Sequence, residues 1–377
     1  MATITYPNLM EIDFGAIKLL GEALQRNQIS RPLICTDKGI VASGIFDTVR
    51  GVIPNDVDIT VFDETPGNPT ERAVKAAAAL YRENDCDGVV SLGGGSSIDL
   101  GKAVALSITH DGPIANYSVV NGGREKIGAA PPIIAMPTTA GTGSEVGGGL
   151  VIITEDGQKV VIVSPNLLPK MAICDPELTL GLPKHLTAAT GMDAMAHCIE
   201  AYLTPVVNPP AAAIGLDGLE RVVTYLKRAV DDGEDREARW HMMMAASEGA
   251  MAFAKGLGAV HSMSHAVGAD EELRLHHGTL NAVLLPTVLR FNAAHVGDKY
   301  DRLRRAMGLA EGEDIAAWIE NFNQSIELPA NLGEMGVNHD MIPALSEHCM
   351  TDACHFANPK IATVEEYNVM FAAAIGG

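Results

Sequence analysis

"DGVVSLGGGSSIDLGKAVALSITH", residues 87–110, decides the fold by the order of its residue types. A short β-branched run at 89–92 breaks into Gly93, Gly94 and Gly95, and an Ala/Leu/Ile-rich stretch at 97–110 follows. Strand, glycine turn and helix in that order make half of a βαβ unit. The surroundings repeat the alternation. "RPLICTD" (31–37) reads as a strand ahead of a helix near 39–50. "VDITVFDE" (57–64) precedes the helix "PTERAVKAAAALYREN" (69–84), and "PPIIAMPTT" (131–139) is a further strand. Successive units of this kind, joined by right-handed crossovers, predict a doubly wound parallel sheet.

The rhythm changes after residue 145. "LVIITEDGQKVVIVS" (150–164) folds back on its "EDGQ" centre as a hairpin, and "KMAICDP" (170–176) closes an α/β domain spanning 1–180. From Pro183 the sequence favours helix almost throughout, with helices expected at 184–203, 211–232, 236–256, 258–269 and 278–296 and a loop at "PVVNPPA" (205–211). An all-helical second domain, 181–377, is expected.

Composition narrows the function. A net charge of −20 argues against nucleic acid, whose phosphates need Lys and Arg. No run of about 18 uninterrupted apolar residues suggests a membrane span. The start, "MATITYPNLMEIDFG", lacks the basic and apolar regions of a secretion signal. Six cysteines without C-x-x-C spacing fit reduced, buried thiols, so a cytoplasmic protein is expected. The segment "TITYPNLMEID" offers an edge strand to a second copy, which points to a homodimer.

Three glycines between strand and helix let a backbone approach a ligand, and the helix start offers N–H groups to phosphate oxygens. Ser96 and Ser97 add a hydroxyl donor or an N-cap. The spacing is neither G-x-G-x-x-G nor a P-loop, so the choice lies between another diphosphate cradle and a plain tight turn. "MPTTAGTGSE" (136–145) is a second Gly/hydroxyl loop at a strand end. Two such loops favour a dinucleotide over a merely polar surface. Asp37 ends a strand, where a carboxylate either bonds ribose hydroxyls and repels a 2′-phosphate, favouring NAD, or caps a helix.

"ATGMDAMAHCIEAY" (189–202) places Asp193 and His197 four apart on one helix face. Alone, that pair is a local hydrogen bond as readily as a metal site. Downstream, "GLGAVHSMSHAVGADEELRLHHGTLNAVLLP" (256–286) adds His261, His265, His276 and His277 in apolar surroundings. Buried imidazoles need partners, and one divalent cation shared by an Asp and three His supplies them. Such a set suits Fe²⁺ or Zn²⁺ with a position left for a substrate oxygen.

The chain resembles the iron-containing, group III alcohol dehydrogenases over nearly its whole length. The segments that carry the likeness are "GGGSSID", "PTTAGTGSE", "LPKHLTAATGMDAMAHCIEAY", "GLGAVHSMSHAVGA", "HHGTLNAVLLP" and "TDACHFANPK". The resemblance implies a dehydroquinate synthase-like architecture: a dinucleotide-binding α/β domain and a helical domain, with metal and nicotinamide in the cleft between them. It implies Asp193, His197, His261 and His277 as metal ligands, with His276, which replaces the usual proline, as the alternative to His277. His265 falls on a proton-relay position. Asp37, Asn68, Pro69, Gly94, Gly95, Ser96, Thr138, Thr139, Thr142 and Lys159 fall on cofactor positions, and Phe253 and Cys354 on the substrate pocket. After "TGSE" the chain reads "VGGGLVIIT" where many relatives carry bulkier residues, which reshapes that pocket.

The expected function is NAD-linked interconversion of a primary alcohol, or a small hydroxy acid, and its aldehyde. The cation acts as a Lewis acid on the alcohol oxygen, and nicotinamide accepts hydride at about 3–3.5 Å. Lys255 either receives the carboxylate of a short hydroxy acid such as 4-hydroxybutyrate or is a solvated surface lysine. A metal- and NAD-dependent lyase related to dehydroquinate synthase is the competing class, and a non-catalytic nucleotide binder the third.

Overall fold

A computed structural model describes residues 8–270 and 272–376, which fall into two compact units. One contains 8–139 and 143–181; the other contains 140–142 and 182–376.

The first unit has eight strands: β1 (Leu9–Ile12), β2 (Pro32–Cys35), β3 (Thr60–Phe62), β4 (Gly88–Gly93), β5 (Ile133–Pro137), β6 (Gly149–Ile153), β7 (Lys159–Val163) and β8 (Met171–Cys174). Six form a parallel sheet in the order β1-β8-β5-β4-β2-β3, and β6 and β7 make a separate antiparallel hairpin. Every residue of β2, β4, β5 and β8 is buried, as a sheet covered on both faces requires. The pleat sends alternate side chains to opposite sides. Leu33, Val89 and Ile133 join one apolar cluster, while their successors Ile34, Val90 and Ile134 join the other.

Helices α1 (Leu20–Arg26), α2 (Lys38–Ala42), α3 (Ile45–Arg50), α4 (Glu71–Glu83) and α5 (Gly95–Thr109) connect these strands. The single helix expected near 39–50 is two. Gly44 takes a left-handed φ of 81° and breaks it. The strand expected at 57–64 is limited to Thr60–Phe62. Of the segment offered to a second copy (3–13), residues 3–7 lie outside the described residues; β1 pairs with β8 on one side and lies at the edge of the sheet.

Helix α5 is almost wholly buried and carries two charges inward. Lys102 Nζ donates to Ser144 O at 2.6 Å, Ser144 Oγ at 2.7 Å and Gly149 O at 2.7 Å. Asp99 accepts from Ser144 Oγ at 2.5 Å and Val151 N at 2.9 Å. This network fastens the start of the hairpin to α5. Burial pushes Lys102 down to about 8, against the pull of Asp99 and Glu145.

The second unit is helical: α6 (Lys184–Leu203), α7 (Pro209–Asp231), α8 (Arg236–Ala252), α9 (Ala259–Gly268), α10 (His277–Asn292), α11 (Lys299–Ala306), α12 (Ile315–Ser325), α13 (Ile342–Cys349) and α14 (Val364–Ile375). Helix α6 is the axis, packed by α7, α8 and α10, and is buried from Thr187 to Leu203. No helix among the described residues is long and apolar enough to cross a membrane. All six cysteines are free and buried.

Helix α5 packs closely on β4. A Cβ on Gly101 would stand 2.0 Å from Ser91 Oγ and 3.1 Å from Val89 Cγ1. Gly101→Ala is therefore expected to destabilise the protein by about 1–3 kcal/mol. Gly181→Ala, with nothing within 4 Å of the added carbon, is its control. Urea denaturation followed by circular dichroism measures both; equal midpoints would refute the contact.

Candidate metal centre and dinucleotide loop

In the sheet unit the glycine turn has a specific geometry. Gly93 has φ 149°, outside the usual range of L side chains, and a Cβ there would meet Ser97 Oγ at 2.5 Å. Gly94 is the N-cap of α5, so Gly95 and Ser96 lie in its first turn. Their N–H groups belong to a fifteen-residue helix and precede any intrahelical partner. Ser96 is thus not the cap. Its Oγ donates to Gly67 O at 2.5 Å, tying the turn to the loop that holds Asn68 and Pro69. Thr138 N donates to Gly93 O at 3.0 Å, joining the second Gly/hydroxyl loop to the first. Thr139 lies against Gly94, its Oγ1 3.4 Å from where a Cβ would be.

Of the two roles its position allows, Asp37 fills that of helix cap. Oδ1 accepts from Gly39 N at 2.8 Å and Ile40 N at 3.0 Å, capping α2, while Oδ2 faces Gly93. Lys159 opens β7, half-buried, and its charge reaches Asp99. Thr142 is half-buried and belongs to the helical unit.

In the helical unit the acid and the histidines converge. Asp193 Oδ1 lies 3.7 Å from His277 Nε2, 3.8 Å from His197 Nε2 and 3.9 Å from His261 Nε2. These separations are too long for hydrogen bonds. Four donors placed tetrahedrally at about 2.0–2.3 Å from one ion stand roughly 3.3–3.8 Å apart. The ligand atoms of Asp193, His197 and His261 all lie within 4.8 Å of one another and His277 Nε2 approaches the same Asp193 oxygen, a carboxylate-and-imidazole donor set that suits Fe²⁺ or Zn²⁺. Packing produces the convergence. A Cβ on Gly278 would stand 2.2 Å from Ala189 O and 3.2 Å from Asp193 Cβ, so the start of α10 presses on the α6 backbone and brings in His277. His276 is exposed as the N-cap of α10 and lies outside the cluster.

Ligand nitrogens must keep their lone pairs, and the surroundings arrange it. Glu200, one helical stretch beyond Asp193, accepts from His261 Nδ1 at 2.6 Å. The same carboxylate accepts Val260 N at 2.8 Å and His261 N at 3.4 Å, thereby capping α9. With a proton on Nδ1, His261 presents an unprotonated Nε2 to Asp193. Ser264 Oγ is 2.8 Å from His277 Nδ1 and donates to His277 O at 3.5 Å, which leaves it free to accept from Nδ1–H. Burial pushes His197 down to about 4, against the attraction of Asp193, so this ring is neutral. Asn281 completes the cage: Nδ2 is 2.7 Å from Asp193 Oδ1, 3.2 Å from His261 Nε2 and 3.1 Å from His277 Nε2.

His265 stands beside the cage. Its ring stacks on His277 with centroids 5.3 Å apart, and Nδ1 is 2.8 Å from Asp352 Oδ2. Cys354 N donates to Asp352 Oδ1 at 2.7 Å. Burial alone would push Asp352 up, but neighbouring His265 and these hydrogen bonds outweigh it and hold the carboxyl at about 2. Cys354 is held well above the ordinary thiol range by burial and by the charges of Asp352 and Glu200, so it stays a thiol. The Phe253 ring lies 5.2 Å from that of His197.

Lys255 is buried, which removes the solvated-surface alternative. Its Nζ makes one long bond, 3.3 Å, to Tyr202 O at the end of α6. Burial and the nearby charge of Lys299 push it down to about 8. A groove of about 730 Å³ between α10, α12 and α14 contains none of these residues.

Glu200, Asn281 and Asp352 were missed in the sequence, although each sits inside a quoted motif or three to seven residues from a singled-out one. Glu200→Ala would leave the His261 and Val260 N–H groups buried without their acceptor. It is expected to cost about 3–5 kcal/mol in chemical denaturation of the cation-free protein, and Glu200→Gln to recover part of that. Asp352 gives a pH dependence. Its folded value lies below the ordinary 3.8, so its stabilisation is complete above that value and is lost as pH falls toward about 2. The stability gap between wild type and Asp352→Asn should narrow across that window; a constant gap would refute the assignment.

Comparison with known proteins gives one answer along the chain. The model of the iron-containing alcohol dehydrogenase family matches residues 7–176, and that of the family's C-terminal part matches 187–375. The chain is 52% identical to 4-hydroxybutyrate dehydrogenase of Cupriavidus necator over 98% of this chain and 99% of that protein. The crystal structure of a 1,3-propanediol oxidoreductase, 34% identical, superposes with a TM-score of 0.93 over 99% of this chain and 100% of the other. Sulfoacetaldehyde reductase from Bifidobacterium kashiwanohense in complex with NAD+, 27% identical, gives 0.88 over 100% of this chain and 99% of the other. The parallel sheet, the helical unit and these matches agree: the chain belongs to the iron-containing alcohol dehydrogenase family and is an NAD-linked alcohol oxidoreductase.

Proposed function

We propose that the enzyme interconverts 4-hydroxybutyrate, or a primary alcohol of similar length ending in a carboxylate, and the corresponding aldehyde. The observation that carries this reading is the 52% full-length identity to a 4-hydroxybutyrate dehydrogenase. In the oxidative direction the hydroxyl loses its proton, the carbinol C–H leaves as hydride to NAD+, and aldehyde, NADH and a proton result.

Asp193, His197, His261 and His277 hold the cation, which when bound supplies Lewis acidity at the alcohol oxygen. Glu200 keeps His261 in the ligating tautomer. His265 carries the proton away: Asp352 occupies Nδ1, so Nε2 is the atom that exchanges it. Phe253 gives an apolar wall beside His197, and Cys354 lines the same pocket as a thiol. Gly94, Gly95, Ser96, Thr138 and Thr139 of the sheet unit, and Thr142 of the helical unit, receive the diphosphate side of NAD. Asp37 Oδ2 takes the ribose, Asn68 and Pro69 flank the adenosine, and Lys159 completes the cofactor set.

Lys255 receives the substrate carboxylate. An ammonium with three donors, one long bond and a repelling neighbour gains from an anionic partner. Among the described residues β1 lies at the edge of its sheet, which supports a homodimer, and six free, buried thiols support a cytoplasmic setting.

The test is elemental analysis of the purified protein together with NADH formation from 4-hydroxybutyrate and 1-butanol. Expected are about one Fe or Zn per chain, chelator-sensitive turnover, and preference for the hydroxy acid by about tenfold or more in kcat/KM. Lys255→Ala should reduce that preference by roughly 10–100-fold. An unchanged ratio would return Lys255 to a purely structural task at the end of α6, and turnover without net NADH would favour the lyase class.

A further inference from the structure

Asn281 is the polar group of the cage that the reaction does not use. It lies one helical turn after His277 on α10 and is fully buried. Its Nδ2 reaches three acceptors, Asp193 Oδ1, His261 Nε2 and His277 Nε2, within 2.7–3.2 Å. Its Oδ1 is buried with no hydrogen-bond partner. An amide that leaves its acceptor unsatisfied in order to aim its donor is held there for the donor.

A carboxamide has two N–H bonds. Against three acceptors, one N–H serves Asp193 and the other is shared between the two imidazoles. Glu200 holds the His261 proton on Nδ1 and so leaves Nε2 to accept; in the His277 tautomer whose Nδ1–H faces Ser264 Oγ, Nε2 accepts as well. A cation coordinated by the same two nitrogens would use the same lone pairs. The bond to Asp193 is compatible with a cation, because that oxygen has a second lone pair; the bonds to the imidazoles are not.

We propose that Asn281 is a stand-in for the cation: its amide holds the ligand side chains converged while the site is empty and yields the imidazole lone pairs when a cation enters. This rests on the ligand assignment given under Proposed function. The stand-in gives a donor to two of the imidazole lone pairs and to the carboxylate, which would otherwise crowd together without one. It also competes with the cation, so it lowers affinity in exchange for an empty cage that keeps its shape.

The proposal makes an unusual demand: removing a polar residue from the cage should tighten cation binding. Asn281→Leu, close in size, and Asn281→Ala are compared with wild type for melting temperature with and without Zn²⁺ and for Zn²⁺ affinity by competition with a chromogenic chelator. The cation-free variants should melt about 3–6 °C lower than cation-free wild type, while the Zn²⁺-loaded forms lie much closer together. Affinity should rise by about tenfold. A fall in affinity, or an equal loss of melting temperature in both states, would overturn the proposal and make Asn281 a permanent support of Asp193. If wild type binds no divalent cation, the ligand assignment itself fails, which the wild-type titration alone reveals. Variants that fold only with Zn²⁺ present support the proposal.

Discussion

The carboxylate of Glu200 is the constraint on which the helical unit's chemistry depends. It belongs to α6, the same helix as Asp193 and His197, yet it accepts from the first N–H groups of α9 and from the His261 ring. One charge therefore sets where α9 begins, how it is rotated and which nitrogen of His261 carries the proton. Asn358 works from the other side, its Oδ1 accepting from Ala259 N at 3.1 Å. Gly258, against both groups, has room for no side chain. The start of α9 is thus held by two polar side chains from distant parts of the chain, and the placement of His261 follows from that attachment.

The two units solve different recognition problems with different materials. In the sheet unit the candidate ligand-binding groups are largely backbone: glycines at a helix start, a carbonyl pinned by Thr138, a turn tied by Ser96 to the loop at 67. In the helical unit they are side chains whose protonation is set by a second ring of groups. Backbone donors suit an anion whose charge is spread over several oxygens. A small divalent ion requires lone pairs at fixed separations, which only locked side chains provide.

Much of this was legible in the sequence, for identifiable reasons. Helix α6 was read at its observed bounds, because Pro183 precedes it and the Ala, Met and Leu residues between Lys184 and Leu203 outweigh Gly191 and the two threonines. The i, i+4 pairs Asp193/His197 and His261/His265 could be placed on common faces from spacing alone. What spacing cannot show is which face of one helix meets which face of another. His276 and His277 are adjacent, and only the packing of Gly278 on Ala189 decides between them. Glu200 sat in plain view in "HCIEAY", but its partners are some sixty residues away. Lys255 illustrates the opposite error, since nothing local marks it as buried. The break between α2 and α3 was signalled by Gly44, whose left-handed φ a helical pattern does not reveal.

Asp37 has a consequence for how such an enzyme can diverge. The two oxygens of one side chain are divided between starting α2 and facing the glycine turn, so under the ribose role proposed for Oδ2 cofactor choice and local folding would share a residue. A lineage moving toward a phosphorylated dinucleotide cannot simply exchange this acid for a neutral or basic group, because α2 would lose its first-turn acceptor in the same step. Asn or Ser, able to keep the cap without the charge, are the accessible intermediates. The path between the two cofactors is thereby narrowed to side chains that satisfy a helix before they satisfy a ribose.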